Sequence, residues 1–162
     1  MTFTFLYLVP LWLSLSIASV QPAKGWRGLV PLHSTKSDVE KLLGRSHRGD
    51  YAVTYHVNGE VVSIEYSSCR CCKPIEDRFN IPNYTIVRIR VSAAVKRHIA
   101  ALNLDKSKFR KEQNPHLPDY WYYVNAEEGI IYEVLNDDLV ITTEYGASEK
   151  DYKSLKCTSA AK

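Results

Sequence analysis

One β-hairpin signal constrains the fold of this chain more than any other feature. Asn58-Gly59 separates two segments of alternating apolar and polar residues, 51–57 and 60–66. Asn-Gly is strongly preferred in two-residue hairpin loops, because both residues tolerate the positive φ angles of a type I′ turn. This loop length places Tyr55 opposite Val62 and gathers the apolar side chains on one face. The sequence therefore predicts an antiparallel sheet with one buried face and one polar face.

Four more segments have strand character, namely 84–91, 120–125, 129–135 and 139–145. Alternation in the first of them predicts one face that carries Thr85, Val87, Ile89 and Val91. Alternation in the last two predicts a shared face formed by Ile130, Tyr132 and Val134 with Leu139, Ile141 and Thr143. Period-two spacing thus assigns each side chain to a face, provided that no strand contains an irregularity.

Helical spacing begins before the first hairpin. Ser34 is a suitable N-cap, Val39, Leu42 and Leu43 form an apolar stripe, and Gly44 favours the positive φ that ends a helix. A further helix is predicted at 93–102, and a closing turn or helix is predicted at 147–155. A helix this short is stable only when its apolar stripe packs on a neighbouring element, here the sheet.

These elements predict an α+β fold, an antiparallel sheet of about five to six strands packed by one to three short helices. Ser63-Ile64-Glu65-Tyr66-Ser67 is echoed by Thr142-Thr143-Glu144-Tyr145-Gly146, and each segment closes a predicted hairpin. Two helix-plus-hairpin units would account for this echo. Short strand similarities also arise by chance, so a single unduplicated domain is the alternative.

The N-terminus has the character of a signal peptide. Residues 1–23 contain no Lys, Arg, Asp or Glu, and Ser16-Ile17-Ala18 places small residues at −3 and −1 of a cut after Ala18. We therefore predict a signal peptide over 1–18, with cleavage between 18 and 23, a single exported domain over 25–157 and a flexible tail over 158–162. The alternative is an uncleaved anchor, because no basic residue precedes the apolar run and the run is nearly long enough to span a bilayer.

Charge excludes some partners. The chain has 21 basic and 18 acidic residues, a net charge of +3, which is too small to indicate nucleic-acid binding. No cofactor motif is recognised, so no cofactor is expected. The expected partner is another envelope or secreted protein, with no stable membrane span after signal cleavage. The oligomeric state stays open.

The four cysteines are Cys69, Cys71, Cys72 and Cys157. Disulfides persist in oxidising compartments, which agrees with a secreted or periplasmic location. A bridge within the cluster would be strained or very tight, so we predict one long-range bridge from Cys157 to a cluster member. In the chain-entropy model such a bridge contributes on the order of 4 kcal/mol. The other two thiols form a tight second bridge or stay free.

The alternative interpretation of the cluster is a thiol-based metal or redox site. Cys69, Cys71 and Cys72 with one histidine would suit zinc or copper(I), although the spacing lacks the usual Cys-x2-Cys. The histidines are His33, His47, His56, His98 and His116. They are scattered, and no serine lies in a nucleophile elbow. We therefore predict no catalytic residues and no enzymatic activity.

Two groups of residues are candidates for a binding surface. Tyr120, Trp121, Tyr122 and Tyr123 form an aromatic run, of which alternate members must be buried. Tyr and Trp are enriched in interfaces, so Trp121 and Tyr123, or their alternates, are the exposed candidates. Arg88 and Arg90 share the other side of their strand and suit either an acidic partner or the protection of a sheet edge.

The segment Gly25-Trp26-Arg27-Gly28-Leu29-Val30-Pro31-Leu32-His33-Ser34-Thr35-Lys36-Ser37-Asp38-Val39-Glu40-Lys41-Leu42-Leu43-Gly44 resembles the opening of a family of uncharacterised secreted bacterial proteins. The likeness continues through the hairpin to Leu155-Lys156-Cys157. More distantly, 34–44 with the hairpin is similar to the SmpA/OmlA (BamE-type) unit and to β-lactamase-inhibitor-protein-like domains. That resemblance implies envelope scaffolding and protein binding, without the lipid-anchoring cysteine of the envelope lipoproteins. A non-enzymatic protein-binding or envelope-structural module is therefore the expected function.

Overall fold

The computed structural model describes residues 25–46, 51–68 and 79–157. The α-helices are α1 (Lys36–Leu43) and α2 (Glu149–Leu155). The strands are β1 (Ala52–Val57), β2 (Glu60–Tyr66), β3 (Ile86–Ala93), β4 (Arg97–His98), β5 (Arg110–Gln113), β6 (Tyr120–Asn125), β7 (Ile130–Leu135) and β8 (Leu139–Tyr145). Short 3-10 helices occur at Ile99–Leu102 and Lys106–Lys108. No helix in these described ranges is both long and apolar enough to cross a membrane.

The predicted fold class is wrong, because the protein is mostly β. The described residues form an 8-stranded antiparallel sheet with the order β1-β2-β3-β8-β7-β6-β5, in which β4 pairs with β8. The two strands that the sequence pattern missed are β4, which has two residues, and β5, whose sequence Arg-Lys-Glu-Gln has no apolar alternation. The prediction of two helix-plus-hairpin units is also wrong, because strand β6, not a helix, precedes the β7–β8 hairpin.

The first hairpin follows the predicted register. Tyr55 pairs with Val62 and Val53 pairs with Ile64 around the Asn58-Gly59 turn. Asn58 and Gly59 have φ angles of 50° and 77°, the positive values that a type I′ turn requires. Because local turn chemistry and alternation agree here, the register is determined without help from the rest of the fold.

Two β-bulges make the buried faces of β3 and β8 differ from the predicted ones. A register shift between Glu65 and Tyr66 brings Ile86, not Val87, into the core. A second shift in β7–β8 pairs Val134 with Val140, so Val140 and not Ile141 is buried. Each bulge adds a residue to one strand and reverses the faces beyond it. Simple alternation cannot anticipate this reversal.

The buried face of the sheet, which we call the inner face, carries two adjoining hydrophobic clusters. The first cluster centres on Ile64 and Ile89, and Val39 of α1 packs on it. The second centres on Ile130 and Val134. Tyr145 packs against both, so the two clusters meet at β8. We call the opposite side of the sheet the outer face.

Helix α1 begins one residue later than predicted. Thr35, not Ser34, is the N-cap, and the Asp38 carboxylate accepts hydrogen bonds from the Thr35 amide (2.9 Å) and hydroxyl (2.8 Å). The Ser34 hydroxyl instead accepts a hydrogen bond from the Val30 amide at 2.9 Å, which shapes the chain before the helix. Gly44 ends the helix with a φ of 84°, a value that favours glycine.

The helix predicted over 93–102 is wrong. β3 continues to Ala93, β4 follows, and only a 3-10 helix, Ile99–Leu102, is formed. Val95, a member of the predicted stripe, is 80% exposed. The backbone of Arg97 and His98 pairs with β8, so its hydrogen-bonding groups are not available to a helix. The predicted closing helix is confirmed as α2.

Candidate binding site on the outer face of the sheet

A cavity of about 630 Å³ lies between the outer face and the start of α2. We call it the outer cavity. The ends of β2, β6 and β8, the beginnings of β3 and β7 and the segments just before β3 and α2 surround it. A cavity of this size lies in the range of ligand sites, which are mostly apolar with a few polar groups at defined positions. The outer cavity is therefore the principal candidate for a binding site.

The floor of the outer cavity is apolar. Val124 of β6 and Ile131 of β7 pair across the sheet, and both side chains line the cavity. Val87 contributes from β3, at the bulge that keeps it off the inner face. Phe79 and Tyr152 close one side, with ring centroids 5.9 Å apart in an edge-to-face contact. Half-buried apolar side chains on an open sheet face favour an apolar occupant.

A row of ion pairs crosses the outer face beside this floor. We call it the charged row, and it consists of Glu65, Arg88, Glu144, Arg90 and Glu133. Arg88 lies 3.6 Å from Glu65 and 3.2 Å from Glu144, and Arg90 lies 3.4 Å from both Glu144 and Glu133. Exposed pairs stabilise a fold little, about 0–1 kcal/mol each, but the shared partners hold the guanidinium and carboxylate groups in place.

The rim of the outer cavity has more carboxylates than cations. Glu65, Arg88, Glu144 and Glu149 line it, and Glu149 is bound to Lys153 at 2.6 Å. Glu65 and Glu144 share Arg88, and Glu144 also contacts Arg90, so the charged row has three carboxylates for two guanidinium groups. This arrangement favours a positively charged group next to the apolar floor.

Helix α2 is held over the sheet by a local cap and a long-range contact. The Ser148 hydroxyl donates to the Asp151 carboxylate at 2.6 Å and accepts from the Asp151 amide at 3.1 Å. His33 Nε2 lies 3.1 Å from the other oxygen of Asp151. Burial raises the pKa of Asp151, but these hydrogen bonds and the His33 charge outweigh it and leave the pKa below its ordinary value.

Gly129 allows the β6–β7 turn to approach the segment before α2. Its φ is 69°, and a Cβ added there would lie 2.5 Å from the Gly146 carbonyl oxygen and 2.8 Å from Ala147. The Gly146 amide donates to the Gly129 carbonyl at 2.8 Å. Only glycine fits this close approach, which sets the position of one wall of the cavity.

The two arginines proposed from sequence lie at the site, but not on an edge. Arg88 lines the outer cavity, and Arg90 follows it in the charged row. Their strand, β3, lies between β2 and β8. Each guanidinium is paired with glutamates, so neither the edge-protection hypothesis nor the basic-edge hypothesis has support from this geometry.

The aromatic run divides between the two faces. Trp121 and Tyr123 pack against the second cluster of the inner face. Tyr120 and Tyr122 therefore face outward, and Tyr122 pairs with Glu133 of the charged row. The Tyr122 hydroxyl accepts a hydrogen bond from the Asn114 side chain at 2.8 Å. Of the four candidates, Tyr120 and Tyr122 share the face of the outer cavity.

Trp121 and Tyr123 form a separate polar contact at the border of the inner face. Lys111 Nζ lies 4.2 Å from the Trp121 ring centroid and 2.5 Å from the Asp137 carboxylate. The Tyr123 hydroxyl donates to Asp137 at 2.6 Å. Burial, reinforced by the Asp137 charge, raises the pKa of Tyr123 to about 12. These contacts close the second cluster and are remote from the outer cavity.

The cysteine hypotheses fall mostly outside the described residues. Cys157 is buried, 5% exposed, and is disulfide-bonded. Cys69, Cys71 and Cys72 lie outside the described ranges, so the pairing and the metal or redox alternative stay predictions. Within 25–46, 51–68 and 79–157, no group of three or more His, Cys, Asp or Glu side chains is arranged to hold a metal ion.

The histidines within the described ranges do not converge. His56 is exposed on the outer face of β1, as alternation predicted. His33 contacts Asp151, and His98 Nδ1 lies 2.9 Å from Asp138 on the other half of the molecule. Ser34 and Asp38 have local structural roles: the Asp38 carboxylate caps α1, and the Ser34 hydroxyl accepts a hydrogen bond from the Val30 amide.

Sequence reasoning missed the floor and the carboxylates of the site. A signal for the carboxylates was present in the echo of 63–67 by 142–146. Its two Glu-Tyr pairs place Glu65 and Glu144 on the strands that flank β3, where both contact Arg88. The echo therefore marks two similar positions around one arginine. The floor residues Val124 and Ile131 had no comparable signal.

Comparisons with known proteins add no assignment. No protein-family model, curated protein or solved structure matches this chain. The resemblance to secreted bacterial proteins stays a prediction.

Proposed function

We propose that this protein is an exported, non-enzymatic module that binds another secreted or envelope protein through the outer cavity. The observation that carries the proposal is an apolar cavity of about 630 Å³ bordered by an ordered row of charges. Interfaces characteristically combine an apolar centre with a polar rim. The uncharged apolar N-terminus and the disulfide-bonded Cys157 support the exported location.

The chemistry of the cavity indicates what kind of partner segment fits. Val124 and Ile131 offer an apolar floor for one or two inserted side chains. Glu65 and Glu144 at the rim favour a Lys or Arg next to that apolar anchor. Tyr120 and Tyr122 extend the same face and provide rigid contact area with little loss of conformational entropy. We therefore propose a partner segment with an apolar anchor flanked by basic residues.

The test fills the cavity without changing the rest of the outer face. Val124→Trp places an indole on the cavity floor, and Trp is well tolerated in strands. Val61→Trp is the matched control, because Val61 lies on the outer face of β2 and does not line the cavity. Both variants are first compared with the wild type by circular dichroism and thermal unfolding, so that a folding defect is recognised.

Affinity capture from extracts of the native compartment then compares the three proteins. We expect a specific partner that is retained by the wild type and by Val61→Trp and is reduced at least about tenfold by Val124→Trp, about 1.4 kcal/mol of binding free energy. Cross-linking should place that partner's contact on an apolar segment with adjacent Lys or Arg. A folded Val124→Trp variant that captures the partner normally, or a wild type that captures none, would overturn the proposal.

A further inference from the structure

The two edges of the sheet differ in how they are protected. β5 forms one edge and is a four-residue strand with the charged side chains Arg110, Lys111 and Glu112. β1 forms the other edge, and its six residues include no Lys, Arg, Asp or Glu. Short strands and charges at an edge hinder the addition of another strand. β1 is neither short nor charged, so it lacks both of these protections.

The backbone of β1 presents bonding groups to this open side. In an antiparallel pair, alternate residues direct their N–H and C=O groups toward the neighbouring strand and away from it. The Tyr66 amide donates to the Tyr51 carbonyl at 2.8 Å, which sets the inward parity at Tyr51. The outward groups therefore belong to Ala52, Thr54 and His56. Among the described residues no strand pairs with β1 on that side.

We propose that β1 pairs with β1 of a second copy of this chain, antiparallel, about a twofold axis at Thr54. Thr54 then lies opposite Thr54 of the partner subunit, and Ala52 lies opposite the partner's His56. Each outward residue exchanges backbone hydrogen bonds with its opposite, about six across the interface. The two sheets become one continuous sheet with a single twofold axis.

A second copy fits because this register complements itself on both faces. A shift by an even number of residues keeps the inner face of one subunit next to the inner face of the other. Val53 then meets the partner's Tyr55, and both belong to or pack on the first hydrophobic cluster. On the outer face the opposed side chains are small or uncharged, so no like charges oppose. The same patch serves both subunits, as twofold association requires.

The test introduces charge at the axis. Thr54 is exposed, and Thr54→Lys places two ammonium groups opposite each other at the proposed axis. Like charges directly opposite in a sheet cost up to about 1 kcal/mol, so we expect the dimer dissociation constant to rise about fivefold. Sedimentation equilibrium over a concentration series of the purified protein measures it. Gln113→Lys at the β5 edge is the matched control and should leave the constant unchanged.

A charge-swap experiment separates pairing at Thr54 from general destabilisation. An equimolar mixture of Thr54→Lys and Thr54→Glu should form a heterodimer at least as stable as the wild-type dimer, because the axis then pairs opposite charges. Three results would overturn the proposal: a monomeric wild type over the whole series, a dimer insensitive to Thr54→Lys, or mixed variants that stay monomeric. A monomer whose β1 binds an extended peptide from another protein would likewise overturn the second copy as occupant.

Discussion

The two hydrophobic clusters of the inner face have equally buried strand residues at their centres but differ in the segments that cover them. The first cluster is closed by α1 and the preceding segment, whose Val39, Trp26 and Leu29 are at most 6% exposed. The second is closed by 3-10 turns and loops, whose Ile99 and Phe109 are only partly buried. A helix presents a contiguous apolar stripe to the sheet, whereas a short 3-10 turn presents single residues. The strand residues at the centre of a cluster can therefore be fully buried even where the residues that cover them are only partly buried.

The largest expected effects test whether the centres of the two hydrophobic clusters are equally well packed. Ile64→Ala and Ile130→Ala each remove a side chain that is 0% exposed. Each should destabilise the protein by about 3–4 kcal/mol, because a buried Ile→Ala change loses transfer free energy and leaves a cavity. Denaturant unfolding measures both. If Ile130→Ala alone lowered the free energy of unfolding by less than about 1.5 kcal/mol, the second cluster would be loosely packed even at its centre.

A second pair of variants tests the covers. Val39→Ala removes two methyl groups from the fully buried stripe of α1 and should cost about 2 kcal/mol. Leu102→Ala removes more atoms from the 3-10 cover, but its partly buried site should reduce the cost to about 1 kcal/mol. The same unfolding measurement decides the order. If Leu102→Ala costs more than Val39→Ala, the proposed difference between the covers is wrong.

The smallest effects concern a His–Asp contact on each half. The Asp151 side chain is 20% exposed beside His33, and the Asp138 side chain is 54% exposed beside His98. Asp151→Asn should cost about 1 kcal/mol near neutral pH, and Asp138→Asn should stay within about 0.5 kcal/mol, since exposed pairs contribute little.

The pH dependence gives the sign of the Asp151 contribution. Its pKa is lowered in the folded protein, so its stabilisation is complete above the unfolded pKa and is lost as the pH falls through the lower folded pKa. The stability difference between wild type and Asp151→Asn should shrink as the pH falls below about 4. Thermal unfolding across pH 2–7 measures this. A difference that grows as the pH falls below about 4 contradicts the assignment.

Prediction from sequence succeeded where one local rule decided the structure. The Asn58-Gly59 hairpin and its register follow from turn chemistry, and the helix before it follows from its apolar stripe and terminal glycine. It failed at β4 and β5, whose residues have no strand periodicity and become strands only by pairing with β8 and β6. It also misplaced Val87 and Ile141, because a bulge is a response of one strand to its neighbour.

Prediction of the candidate site was partial for the same reason. Arg88 and the whole aromatic run were named from sequence, but which pair of the run faces outward was left open and the glutamate partners of Arg88 were not named. Arg88 contacts Glu65 and Glu144 because β2 and β8 both pair with β3, and the β3–β8 pairing joins segments far apart in the chain. No spacing rule brings such residues together.

Local sequence was sufficient to predict the hairpin register, the apolar faces of β1 and β2 and the approximate positions of α1 and α2. These features depend on interactions between residues close in the chain, whose energies are settled within a turn or a hairpin. Only the tertiary structure decided the strand order, the two bulges, the division of Tyr120–Tyr123 between faces and the outer cavity. Those features arise because one continuous apolar face must be buried by distant segments at once, and the strands adjust their register to achieve it.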